Sequence, residues 1–305
     1  MIKLAQELDI NPLLIEKIKN LSGRELKKVN NCTAKCFKGD FSCLKKEKDL
    51  IRLAVTLQCA VKLKAKYSEY GISDSIYYAT MSDIKIWCEN CGNKGLHNYG
   101  WLKNHVSFEL FRLGRLQFQL YECKNRTLLY NKLPFSYGEK LIYVHIPQGE
   151  KLIKEDCINA FKTANRFFEK YFPDYNYRYY FSESWLLYDN NKEFMSSDSN
   201  ILAFSTLFTH CYSVKIDKQA IERIFGKRQL MKKNYPEKTS LQKSAKKYML
   251  NGGKLGVGVA VAGVCGLRIQ LLAVGVQRQL DGSATAALPA LLHHEARGLV
   301  LVHEG

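Results

Sequence analysis

"GWLKNHVSFELFRLGRLQFQLYE", Gly100 to Glu122, is where the chain changes its period. Up to Gly114 the spacing of apolar residues is that of a helix with one buried face, and the glycine supplies a stop. From Gly114 onward Leu116, Phe118 and Leu120 alternate with Gln117, Gln119 and Tyr121. That is the two-residue period of a strand. Helices are therefore predicted before this point and a sheet after it.

The segments on either side agree. "DLIRLAVTLQCAVKL" places Leu50, Leu53, Ala54, Leu57, Ala60 and Val61 on one helical face. "GISDSIYYATMSDIKIWCEN" opens with a Ser73 cap and continues as a helix through Ile76, Tyr77, Met81, Ile84 and Trp87. Beyond the switch, "KLIYVHIPQGEKL" ends a strand at His145 before Pro147 and Gly149 turn the chain. "KEDCINAFKTANRFFEKYF" returns to helix with Ile158, Phe161, Ala164, Phe168 and Phe172 inward. A strand in "YRYYFSESWLLYD", a capped helix in "SSDSNILAFSTLF", a strand in "CYSVKID", helices in "KQAIERIFG" and "SLQKSAKKYML" and a last strand near Leu255–Val261 complete an α+β pattern. After Lys254 the chain contains no Lys, and Ala, Val, Gly, Leu and Arg take over. Residues 262–305 read as a compositionally foreign tail, appended or frameshifted, so neither function nor a metal is placed on its His293–His294 pair.

With 305 residues, 46% of them hydrophobic, the chain can bury one or two cores. Its formal charge is +17. The basic residues are interleaved with acids, as in "LKKEKDLIRL", and the bias runs along the chain as in a compositionally skewed genome. A solvated basic surface is the expected reading, ahead of a nucleic-acid face. Ten cysteines accompany a first stretch, "MIKLAQELDINPLL", that contains acids and lacks an apolar signal core. Reduced thiols in a cytoplasmic setting are expected. "LGVGVAVAGVCGLRIQLLAVGV" is the longest apolar run, but its glycines and Arg268 argue against a membrane span.

Several constellations could carry chemistry. Cys88 and Cys91, with His97 and the Cys32, Cys36 and Cys43 group, could share a Zn²⁺, but their spacing is irregular and no metal is expected. "NGGKLGVGV" matches no phosphate-loop pattern; Gly256 and Gly258 suggest a strand that another backbone approaches closely. Arg112 and Arg115 flank Gly114 and could clamp a phosphate or carboxylate, or pair with Glu109 or Glu122. Glu183 with His145 would make an acid–base pair. Ser184 with His145 would suggest a nucleophile, although no G-x-S-x-G elbow surrounds it, and a buried hydroxyl bonded to backbone is the plainer reading.

In that order, "FRLGRLQF", "VHIPQGEKL", the "ANRFFEKYFP" helix, "SESWLL" and "SSDSNILAF" resemble a bacterial acyltransferase-domain family. It joins a helical N-acyltransferase domain to a GNAT-like C-terminal domain with a mostly antiparallel sheet. The resemblance runs from about Ile72 to Val261 and implies domains at 1–112 and 113–261. It also implies an acyl-CoA or acyl-carrier-protein thioester as donor, and an amine that attacks it directly. His145 would be the base, Glu183 would orient it or serve instead, and Ser184 would stand beside them. Arg112, Arg115, Trp185 and Asn200 would contact the donor. The family's [QR]-x-x-G-x-[GA] pyrophosphate loop has no clean copy here, and Glu155 and Asp156 open the following helix. Two alternatives remain: a non-catalytic binding module of the same fold, and a basic nucleic-acid-binding protein.

Overall fold

The computed structural model describes residues 1–124 and 133–264. Seven helices come first: α1 (Ile2–Glu7), α2 (Pro12–Lys19), α3 (Gly23–Phe37), α4 (Asp49–Glu69), α5 (Asp74–Met81), α6 (Asp83–Asn90) and α7 (Tyr99–Val106). Their ends follow local chemistry. Asn11 caps α2, and Ser22 with Glu25 closes a capping box on α3. The long α4 is their centre. Leu53, Ala54 and Leu57 are buried as expected, but so are Ile51, Val55 and Cys59, whereas Val61 is exposed. A helix apolar nearly all round is surrounded by neighbours and has no single inner face.

Two helix expectations need correction. "GISDSIYYATMSDIKIWCEN" breaks at Ser82 into α5 and α6, and the Ser73 hydroxyl binds Ser75 rather than capping a backbone N–H. The helix expected to run to Gly114 stops at Val106. Phe108 has φ 61°, a left-handed conformation that is costly for an aromatic residue and ends the helix. Tyr67, Tyr70 and Phe111 hold its ring, with centroids 4.9 to 5.3 Å away. Leu110–Leu113 is already a strand, β1.

Gly114, with φ 67°, opens a two-residue turn from β1 into β2 (Leu116–Glu122), as Leu113 pairs with Leu116. There follow β3 (Lys140–His145), α8 (Lys154–Tyr171), β4 (Tyr179–Ser184), α9 (Asn200–Ser205), β5 (Thr209–Val214), α10 (Lys218–Phe225), α11 (Ser240–Leu250) and β6 (Val257–Gly263). The six strands form one sheet in the order β1-β2-β3-β4-β6-β5. Every neighbouring pair is antiparallel except β3 and β4, which are parallel. The α+β architecture with a mostly antiparallel sheet is the one expected.

The final strand enters between β4 and β5, where space is tight. A Cβ on Gly258 would lie 1.8 Å from the Leu187 carbonyl oxygen, and one on Gly256 would lie 2.4 Å from that of Val214. The glycine-rich stretch is thus a strand closely approached by backbone, as its pattern suggested. One sheet face packs on α8 through Phe118, Phe161 and Tyr180. Helical region and sheet share a core, for Phe111 of β1 touches Tyr67 of α4 and Phe167 of α8. Of the tail read as foreign, residues 265–305 with His293, His294 and most of the apolar run lie outside the described residues. No helix among the described residues is long and apolar enough to cross a membrane.

Candidate active site

β3 and β4 pair at Ile142 with Tyr180 and at Tyr143 with Phe181, and their ladder ends there. Beyond it, Pro147 turns β3 away, and β4 runs into a 3-10 turn at Trp185–Leu187. One link crosses the parting strands: the Ser182 hydroxyl donates to the Val144 carbonyl at 3.0 Å. A cleft of about 860 Å³ opens at the split. Its walls come from the ends of β3 and β4, from α6 and α7, and from α10. All three tryptophans of the chain, Trp87, Trp101 and Trp185, line it.

His145 and Glu183 flank this opening. Each stands two residues beyond the last paired residue of its strand, so alternation puts both on the same sheet face, on opposite sides of the split. The half-buried His145 ring has its Nε2 2.9 Å from the Gln119 amide oxygen. It stacks on Tyr143 at 4.1 Å and meets the edge of Trp101 at 4.7 Å. Burial among these rings, with His105 nearby, pushes its basicity down to a pKa of about 3, against a smaller opposing pull from Asp83. Burial pushes the half-buried Glu183 carboxyl the other way, above its ordinary value. Among the described residues no cation pairs with Glu183.

The wall facing the split hangs on one buried carboxylate. Asp83 Oδ2 accepts from the indole of Trp101 at 2.9 Å and that of Trp87 at 3.3 Å, and lies 3.0 Å from His105 Nε2. Burial alone would raise this carboxyl, but the His105 contact, with hydrogen bonds from Trp101 and Gln117, holds it below the usual carboxylate range. At the rim the Gln148 amide oxygen accepts from Asn90 of α6 at 3.2 Å and from Arg223 of α10 at 3.0 Å. The Arg223 guanidinium also lies over Trp87.

Trp185 joins His145 and Glu183 in the cleft, and its backbone N–H donates to Gln219 of α10 at 2.7 Å. Ser184 also borders it, but the buried hydroxyl accepts from the Leu186 N–H at 3.2 Å and caps the turn there. The hydroxyl is engaged with backbone, as the plainer reading of this residue expects. The arginines are not a free anion clamp either. Arg115 is buried and donates to the carbonyls of Pro147, Glu150 and Lys151 at 2.8 to 3.0 Å. Arg112 pairs with the Glu150 carboxylate, not with Glu109 or Glu122. Together they pin the loop between β3 and α8. Asn200 begins α9 and does not border the cleft.

The cysteine motifs go into packing. Cys88 is buried, and Cys91 Sγ accepts the His97 N–H at 3.4 Å. Cys36 and Cys43 thiols stand 3.9 Å apart. Among the described residues no three His, Cys, Asp or Glu side chains are grouped to hold a metal ion. Asp83, Gln119 and Trp101 were not singled out from the sequence. The available signal was three tryptophans in a long chain; what converges them is tertiary.

The N-acyltransferase N-terminal domain model matches residues 4–108, and the GNAT-like C-terminal domain model matches residues 110–262. Among proteins of curated function none matches the chain. Solved structures share the fold. An acyltransferase in complex with decanoyl-CoA and teicoplanin is 18% identical, with a TM-score of 0.70, covering 86% of this chain and 87% of the other. An acyltransferase in complex with decanoyl-CoA is 20% identical with a TM-score of 0.71, covering 85% and 86%.

Proposed function

The chain belongs to the family that joins an N-acyltransferase N-terminal domain to a GNAT-like C-terminal domain, and we propose that its cleft transfers an acyl group from a coenzyme A thioester to an amine. The observation that carries this is the split between β3 and β4, with His145 and Glu183 on its two sides. The coenzyme A complexes of structures with the same fold support the choice of donor over a carrier-protein thioester. An extended pantetheine arm presents amides that can pair with the strand edges the ladder leaves beyond Tyr143 and Phe181.

The amine attacks the thioester carbonyl directly; as the C–N bond forms the C–S bond breaks, and coenzyme A leaves as a thiolate that takes the proton relayed through Glu183 to become the free thiol. Backbone N–H groups at the split are suited to the developing oxyanion. The ammonium proton passes to Glu183, a half-buried carboxylate whose basicity burial has raised toward working pH. Held neutral with its Nε2–H on Gln119, His145 keeps the Nδ1 lone pair for a hydrogen bond from the attacking amine. Arg112 and Arg115 act indirectly, by fixing the loop that begins at Pro147.

The test is native mass spectrometry with a mixture of acyl-CoAs and acyl-carrier proteins, followed by thiol-release assays against a panel of amines. Retention of an acyl-CoA and amine-dependent release of free coenzyme A are expected. Binding without release under any amine supports instead a non-catalytic module.

A further inference from the structure

We propose that Asp83 is a positioning residue for this transfer: its buried carboxylate oxygen holds both Trp87 and Trp101, and so fixes the wall of the cleft that faces the strand split. The inference rests on the acyl-transfer reading for its kinetic consequence, but its geometric core stands apart from that reading.

Four observations converge. Asp83 is 3% exposed, and one oxygen, Oδ2, accepts from both indole N–H groups. His105, fully buried, brings its Nε2 to 3.0 Å of the same oxygen, while its Nδ1 has no partner among the described residues. Trp101 in turn meets His145 edge-on at 4.7 Å. Behind the network stands Gln117, whose amide nitrogen is 3.4 Å from His105 Nε2 and whose register partner across the β2–β3 ladder is His145. The carboxylate thus ties two helices, α6 and α7, to the ring that ends β3.

Packing alone does not call for this arrangement. A buried carboxylate is costly to desolvate, and an apolar residue of similar volume would fill the position more cheaply. What the charge adds is direction. An indole N–H bound to a fixed anion cannot turn, so each ring presents one chosen face to the cleft. A reacting amine needs a near-attack pose, and a wall free to shift by about 1 Å can cost roughly a hundredfold in rate.

Asp83→Asn and Trp101→Phe test the proposal. Asparagine keeps the volume but removes the negative charge that gathers three donors on one oxygen; phenylalanine keeps a ring beside His145 and removes one N–H. A ¹⁵N-labelled protein carries three indole N–H groups, one for each tryptophan to be followed. Asp83→Asn is expected to shift those of Trp87 and Trp101 and leave that of Trp185 in place. With an acyl-CoA and an amine that the wild type turns over, kcat is expected to fall by about tenfold to a hundredfold with the dissociation constant of acyl-CoA unchanged. The double variant should be no slower than Asp83→Asn alone, because both changes break one interaction. An unmoved pair of indole signals, an unchanged kcat in folded Asp83→Asn, or strictly additive losses would overturn the proposal. Should Asp83→Asn fail to fold, Trp101→Phe decides: an unchanged kcat rejects the role. A wild type that transfers nothing sinks the acyl-transfer reading, and the indole spectrum alone then decides whether Asp83 holds the wall.

Discussion

Gln119 Oε1 lies 2.9 Å from His145 Nε2, and this contact selects the ring tautomer that carries its proton on Nε2. The two side chains come from neighbouring strands and share a sheet face. Gln119→Leu removes the acceptor and should release the ring from that tautomer. ¹⁵N spectra of the imidazole will register the change, and Nε2 protonated in wild type and variant alike would show that another group sets it.

Glu183 and His145 can be separated by isosteric change. Glu183→Gln removes the raised carboxylate and should lower acyl transfer by about 10² to 10⁴-fold, the usual range for loss of a general base. His145→Gln should cost less and act mainly on KM for the amine. Steady-state kinetics of the two variants checks the order. If His145→Gln is the more damaged in kcat, the proton goes to the imidazole.

Burial of His145 makes stability depend on pH in a known direction. Unfolded, the ring takes up a proton near its ordinary 6.5; folded, it stays neutral down to about 3. Between these values the unfolded state binds more protons, so this contribution is complete above 6.5 and is lost as pH falls through the window. Urea midpoints at pH 7 and pH 4.5 should therefore differ less in His145→Gln than in the wild type. Equal differences would mean that the ring is solvated.

Arg115 satisfies the carbonyls of Pro147, Glu150 and Lys151 from within the core. Arg115→Met strands those acceptors and should destabilise the protein by about 3 kcal/mol. Chemical denaturation measures it. The same variant should weaken acyl-CoA retention, because the loop it loosens borders the cleft.

Gly258→Ala places a methyl group against the Leu187 carbonyl oxygen, at 1.8 Å before any adjustment. The atoms it meets are the backbone of the Leu187–Tyr188 peptide, which has no flexible side chain to yield, so a loss of about 3 kcal/mol is expected. Gly252→Ala at an open position, with nothing within 4 Å of the added carbon, measures the backbone cost of a positive φ alone.

Periodicity carried most of the architecture, and it failed where tertiary contacts outrank it. Leu110, Phe111 and Leu113 fit the face of a helix as well as a strand; Phe108 decided between them by adopting φ 61° inside an aromatic cluster that no local pattern announces. In the same way α4 reads as one-sided until its neighbours surround it. At the cleft, His145 stood out because it ends a strand ahead of Pro147 and Gly149, and Glu183 as a strand carboxylate able to stand beside it; Trp185 came only with the family resemblance. Arg115 looked available for an anion because the sequence contains no sign of the carbonyls it serves. Asp83 and Trp101 were invisible as site residues, since a helix-start acid and a helix aromatic are ordinary in those places. Only the packing of α6 and α7 over the split brings them to His145.

With Trp87, Trp101 and Trp185 all bordering one cleft, the molecule has no tryptophan elsewhere. Excited at the red edge of the absorption band, where its 18 tyrosines absorb little, the protein therefore emits from the cleft alone. Occupancy by donor or acceptor can be followed by emission from unlabelled protein, and quenching by iodide against acrylamide would report how far each occupant seals the opening.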